Sequence, residues 1–211
     1  MMNKKFIKNL GLNSVKDLEP KVINLIKWNI IIEGVAVIIF AFTSPIIIIT
    51  MISEVDPIYY QASRLIEYGL GGFINLWINK NKLNLLRKYF SYLCIADCSL
   101  TIICNYMFAH MPNYRFIAIS ILNVLISSLV FRIIDDIMNN LTTGSNLSVL
   151  NGKREGFEQV STLIGTILIM LVTYLNLNIS CDTALTLQCI AFIIVCIAEL
   201  FITKKLIKYR K

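Results

Sequence analysis

Six apolar runs, at residues 28–51, 60–78, 89–108, 116–134, 157–174 and 184–202, follow one another along the chain and take up most of it. A helix needs roughly 20 predominantly apolar residues to cross the hydrocarbon core of a bilayer, and each run meets or nearly meets that length. Such helices are apolar nearly all round, which marks lipid or the core of a much larger protein as their surroundings. The pattern predicts an all-α, polytopic membrane helix bundle with six transmembrane helices. With no Pro/Gly/Ser-rich linker to divide it, residues 28–203 form one transmembrane domain, preceded by a segment of 27 residues and followed by a basic tail at 204–211.

The charges are arranged to suit such a chain. Only 16% of residues are charged, and the net charge is +7. Lys4, Lys5, Lys8, Lys16, Lys21 and Lys27 precede the first run; Lys80, Lys82, Arg87 and Lys88 separate the second from the third. Arg132, Lys153 and Arg154 lie at or near the link between the fourth and fifth runs, and Lys204, Lys205, Lys208, Arg210 and Lys211 follow the sixth. The alternate links hold Glu54, Asp56 and Asp182 and a single basic residue, Arg115. Basic links on every second side are what the positive-inside rule requires of an even number of spans. Both termini are therefore expected in the cytoplasm and the protein in the plasma membrane. The positive charge is topogenic, which leaves no case for nucleic-acid binding.

The first 27 residues contain Asp17, Glu19 and Pro20 and lack the continuous apolar core of a secretory signal. A short interfacial helix is expected instead, with Ser14 as its cap, Asp17 three residues on, and Val22, Leu25 and Ile26 facing lipid. Cys94, Cys98, Cys104, Cys189 and Cys196 fall inside the runs and Cys181 at a boundary, without a CxxC pair. They read as polarisable packing residues rather than metal ligands.

Ionisable residues within the runs are the candidates for chemistry, because a charge at mid-membrane costs on the order of 3 kcal/mol on insertion scales. Glu33 lies in the first run, Arg64 and Glu67 share a face of the second, Asp97 sits deep in the third, and Glu199 lies toward the end of the sixth. Glu33, Arg64, Glu67 and Asp97 are the candidate substrate or proton pathway. Asp97 or Glu33 would carry the proton, and Arg64 would contact an anionic group or a carboxylate. Arg132, Asp135 and Asp136 form a charge cluster for gating or structure, with Arg132 and Asp135 as a local pair. Glu199 is expected to reach interfacial water.

Helix shape offers further signals. Thr43-Ser44-Pro45 is expected to interrupt the first helix, since proline removes a backbone donor and clashes one turn back. Gly69, Gly71 and Gly72 on the second helix, and Gly165 with Ser161 on the fifth, are small enough for close helix approach.

Enzyme signatures are not the pattern here. The single histidine, His110, falls in an outer link, and G-x-S-x-G, H-E-x-x-H and P-loop motifs do not occur. Asp135-Asp136-Ile137-Met138-Asn139-Asn140 has oxygen ligands of the kind that hold Mg²⁺ beside a diphosphate, but a second acidic cluster is missing and a polar helix exit is the better reading. The chain is read as non-enzymatic, with no metal and no cofactor.

The order of the helices, the basic link after the second and the polar link before the fifth resemble the six-helix half of a major facilitator superfamily transporter. The likeness runs through Phe131-Arg132-Ile133-Ile134-Asp135-Asp136 to Asn151-Gly152-Lys153-Arg154-Glu155-Gly156. After the second helix, Asn75-Leu76-Trp77-Ile78-Asn79-Lys80 stands where that family has Gly-x-x-x-Asp-Arg/Lys, with asparagine in place of both the glycine and the aspartate. The resemblance implies a transporter-like protein that moves or binds a small molecule as a homo-oligomer or with another membrane subunit. A different class also fits six short helices: a non-catalytic immunity, accessory or defence-associated subunit that acts on a protein partner through the Gly69/Gly71/Gly72 face.

Overall fold

The computed structural model describes residues 19–54, 57–78, 80–110, 114–141 and 145–209, although not every side chain within them. These residues form α1 (Pro20–Glu54), α2 (Pro57–Trp77), α3 (Lys80–Leu86), a 3₁₀ turn (Arg87–Tyr89), α4 (Phe90–His110), α5 (Tyr114–Leu141), α6 (Ser145–Tyr174) and α7 (Cys181–Ile207). The fold is all-helical, and α1, α4, α5, α6 and α7 are long and apolar enough to cross a membrane.

Helix α2, at the place of the second expected span, is not among those five. Gln61, Arg64, Glu67 and Asn75 interrupt its apolar run. Its inward stripe, Ala62, Ile66, Leu70 and Ile74, recurs every four residues, while Leu65, Phe73 and Leu76 stay exposed. That is the pattern of a helix with one packed face.

Helix α1 begins at Pro20, a residue suited to the first helical position because its missing N–H has no partner there anyway. It then runs unbroken for 35 residues, with Pro45 inside it. The expected interruption does not occur. Thr43 Oγ1 donates to the Ile39 carbonyl at 2.7 Å, so the turn before the proline carries a side-chain bond of its own. The start at Pro20 also revises the reading of residues 20–27. Val22 and Ile26 belong to the core, 2% and 1% exposed, because the first two turns of α1 pack inside the bundle. The expected cap at Ser14 and the segment up to residue 18 lie outside the described residues.

The other end of the chain is defined by local chemistry. Helix α6 closes with Asn176 at φ 50°, where Leu177 N–H reaches the Val172 carbonyl and Asn176 N–H the Thr173 carbonyl. This is a Schellman ending with asparagine in the left-handed position that glycine usually takes. Four residues later Ser180 Oγ accepts the Thr183 N–H at 3.2 Å and starts α7. Asp182 in the first turn and Lys204 and Lys205 in the last both suit the helix dipole.

Across the bundle the helices neighbour one another in the order α6, α1, α7, α4, α5, α2. The first helix thus lies between the last two, and α4 joins that group to α5 and α2. Helices α1 and α6 run in the same direction and come very close: a Cβ at Gly165 would sit 2.5 Å from the Ile38 carbonyl oxygen and 2.6 Å from Ala41 Cβ. One at Gly34 would strike the Phe157 ring and lie 2.9 Å from Ser161 Oγ. Helix α7 runs opposite to α1, with Phe40 and Phe192 at 4.6 Å between ring centroids. The main core, including Ile26, Ile30, Phe90, Ile133, Ile137 and Ile202, fills the end of the bundle where α1 begins and α7 finishes. A smaller cluster of Ile47, Ala184 and Leu185 closes the other end.

Candidate functional site

Polar residues on α4 recur every three or four positions, at Cys94, Asp97, Thr101, Cys104 and Asn105, so they share a helix face. Each meets a partner on a neighbouring helix. Asp97 is hydrogen-bonded by Ser127, Thr101 Oγ1 donates to Asn123 Oδ1 at 3.0 Å, and Cys104 Sγ lies 3.3 Å from Ser120 Oγ. The partners step down α5 as their counterparts step up α4, the register of an antiparallel pair. Asn105 Nδ2 next donates to Gln188 Oε1 at 3.4 Å, and Gln188 Nε2 donates to Ser44 Oγ at 3.1 Å, which ties α4, α7 and α1 together. Bonds of this kind between membrane helices contribute about 0.6 kcal/mol each on average, enough to set register without dominating stability.

Toward the basic end the polar file becomes ionic. Cys94 Sγ is 3.6 Å from Cys196 Sγ and donates to Glu199 Oε2 at 3.9 Å. Glu199 is buried at 7% exposure, so it does not reach interfacial water; the packing of α4 on α7 closes it off. It lies within electrostatic reach of Glu33, Asp97 and Arg154. Arg154 on α6 donates through Nε to Glu33 Oε2 at 3.1 Å, through Nη2 to Glu33 Oε1 at 3.3 Å, and through Nη1 to Asp135 Oδ1 at 3.2 Å. Asn29 Nδ2 adds a bond to Glu33 Oε1 at 2.7 Å. One guanidinium thus clamps α1 and α5 to α6, a use that fits its planar fork of donors.

The expected charge cluster is therefore divided. Asp135 pairs with Arg154 and Asp136 with Arg87 of the 3₁₀ turn, while Arg132 is exposed and is not the partner of Asp135. Neighbours on adjacent helices win: Arg154 and Arg87 are partly buried beside these carboxylates, while Arg132 stays exposed. The carboxylates of the Asp135–Asn140 stretch are thus both engaged by arginines. His110 ends α4 and meets Asp182 of α7 at 3.1 Å.

Asp97 keeps its deep position, with Oδ1 shut off from the surface and without a hydrogen-bond partner among the described residues. It and Glu33 lie in separate parts of the file. Arg64 and Glu67 fall on α2, and their side chains lie outside the described residues. Of the packing glycines, Gly165 sits at a close helix contact, and Gly71 meets Ser128 Oγ at 3.5 Å from where its Cβ would be. Gly69 and Gly72 face open space, so they do not bring α2 against another described helix.

Sequence reasoning does not single out Arg154, Arg87 or Gly34. The two arginines read as link charges, although Leu150, Arg154, Phe157, Ser161 and Gly165 mark one continuous inward stripe of α6. The neutral partners Ser120, Asn123, Ser127 and Gln188 carry no charge to attract notice, but the helical spacing of the three on α5 is visible in the sequence. Comparison with known family models, curated proteins and solved structures finds no match to the chain.

Proposed function

We propose that the protein is a six-span plasma-membrane protein with both termini in the cytoplasm, and that it binds and moves a small molecule with Asp97 as the proton carrier. It acts as a homo-oligomer or beside a second membrane subunit. The observation that carries the transport reading is Asp97: a carboxyl group inside α4 with one oxygen unpartnered among the described residues, within a polar file. Ionisable groups at such depth are costly and characteristically serve ion or substrate movement.

The crossing number is supported by the two chain ends. Lys21 of α1 and Lys208 after α7 line one groove, so the first and last spans meet at the same end of the bundle. Five crossings would put them at opposite ends. Helix α2 is then the sixth span, its polar residues tolerated because α5 covers one face, and the lysine-rich end is the cytoplasmic one.

The test compares cells that produce the wild-type protein with cells that produce Asp97→Asn at equal membrane levels. A transporter changes the accumulation of at least one small molecule in the first and not in the second. Identical small-molecule profiles would sink the reading. A second reading, an accessory or immunity subunit that acts through a protein partner, draws on the outward face of α2, where Gly69 and Gly72 lie open beside exposed Leu65, Tyr68 and Phe73. Affinity purification from native membranes separates the two readings, because a stoichiometric foreign protein favours the accessory role.

A further inference from the structure

Where α1 enters the bundle and α7 leaves it, a groove of about 500 Å³ opens between them, lined by Lys21, Asn24, Leu25, Trp28, Lys205, Lys208 and Tyr209. Its position is set by the spans: the apolar stretch of α1 begins at Pro20 and that of α7 finishes at Lys208, so the groove sits at the edge of the hydrocarbon layer. Its chemistry is two-sided. Leu25 and the indole of Trp28 give an apolar wall, while the lysines, the Asn24 amide and the Tyr209 hydroxyl supply donors. The Lys205 ammonium lies 3.9 Å from the centre of the Phe201 ring, one turn back on α7. No carboxylate lines the groove, and none of Lys21, Lys205 and Lys208 forms an ion pair with a carboxylate among the described residues. Unlike Arg87 and Arg154, these cations are not paired with an acid among the described residues.

We propose that this groove is a binding site for one anionic glycerophospholipid, with its phosphate among Lys21, Lys205 and Lys208 and its glycerol and upper acyl carbons against Leu25 and Trp28. Three lysines lining one groove match a phosphodiester with no compensating headgroup cation. The apolar wall matches the acyl chains that a lipid carries beyond its phosphate and that a free phosphate ester lacks. Basic recesses between membrane helices recognise anionic headgroups by this combination, and tryptophan and tyrosine favour the same depth. The inference rests on the membrane reading of the helices but on neither their orientation nor transport.

Trp28 reports the site directly, since the chain has 2 tryptophans and Trp77→Phe leaves it alone. The full chain carrying that substitution is reconstituted in vesicles in which either the phosphatidylglycerol or the phosphatidylcholine bears bromine on its acyl chains. Brominated phosphatidylglycerol should quench Trp28 with a preference of at least about fivefold over brominated phosphatidylcholine, and Lys205→Gln with Lys208→Gln should remove that preference. Equal quenching by the two lipids, or a preference that survives loss of both lysines, overturns the proposal. Relief of quenching by millimolar glycerol phosphate overturns the lipid as occupant in favour of a soluble phosphate ester. Absence of quenching by either lipid overturns it together with the membrane reading. Native mass spectrometry of the unsubstituted protein gives an independent check, with retained phosphatidylglycerol expected and its absence counting against the site.

Discussion

Arg154 and Glu33, 121 residues apart in the chain, meet through both carboxylate oxygens of the glutamate and fasten α6 to α1. The same guanidinium reaches Asp135 on α5, so three helices depend on one cation.

Removing that cation leaves two carboxylates facing each other across the bundle. Arg154→Gln should lower stability by about 2–3 kcal/mol, less than the 3–5 of a fully buried pair because both side chains keep some exposure. The double substitution Arg154→Gln with Glu33→Gln should recover most of the loss. Thermal unfolding of the detergent-solubilised variants measures both, and additive losses would show that the pair is not coupled.

The glycines separate into two kinds. Gly165→Ala adds a methyl where the Ile38 carbonyl and Ala41 already lie within 2.6 Å, and should cost about 1–3 kcal/mol as α1 and α6 are forced apart. Gly72→Ala meets open space and should change stability by no more than about 0.5 kcal/mol. Comparison of the two melting temperatures under identical conditions checks the contrast.

Asp97→Asn should leave yield and melting temperature near those of the wild type, since the amide still bonds Ser127, while proton-coupled movement is lost. If yield collapses instead and a second substitution, Arg64→Gln, restores it, Asp97 is a structural partner of Arg64 and not a carrier.

Cys94 and Cys196 face each other at 3.6 Å between sulfurs on α4 and α7. Mild oxidation with copper phenanthroline in membranes should join them within one chain, visible by peptide mass analysis. In a Cys98→Ser background, needed because Cys98 also lies beside Cys196, Cys94→Ala should abolish the linked peptide and Cys104→Ser should not.

Reporter fusions at residues 54 and 82 decide whether α2 crosses. Opposite sides, with 54 outside and 82 inside, are expected; the same side for both would reduce the protein to five spans.

Run length alone was enough to specify an all-helical chain built for lipid, because a bilayer offers backbone groups no hydrogen-bond partner and leaves the helix as the economical choice. The placement of lysines is likewise a one-dimensional signal, and the expected topology rests on it. Packing decided the rest. Apolar residues that face lipid and those that face a neighbouring helix look alike in sequence, so Val22 and Ile26 were readable as apolar but not as core. Likewise Arg154 was readable as a basic residue near a helix end but not as the partner of Glu33. Which carboxylate meets which arginine depends on which helices become neighbours, and here the first helix lies between the last two. Tertiary structure therefore chose Arg154 over Arg132 for Asp135, buried Glu199 against Cys94, and set Asp97 beside Ser127.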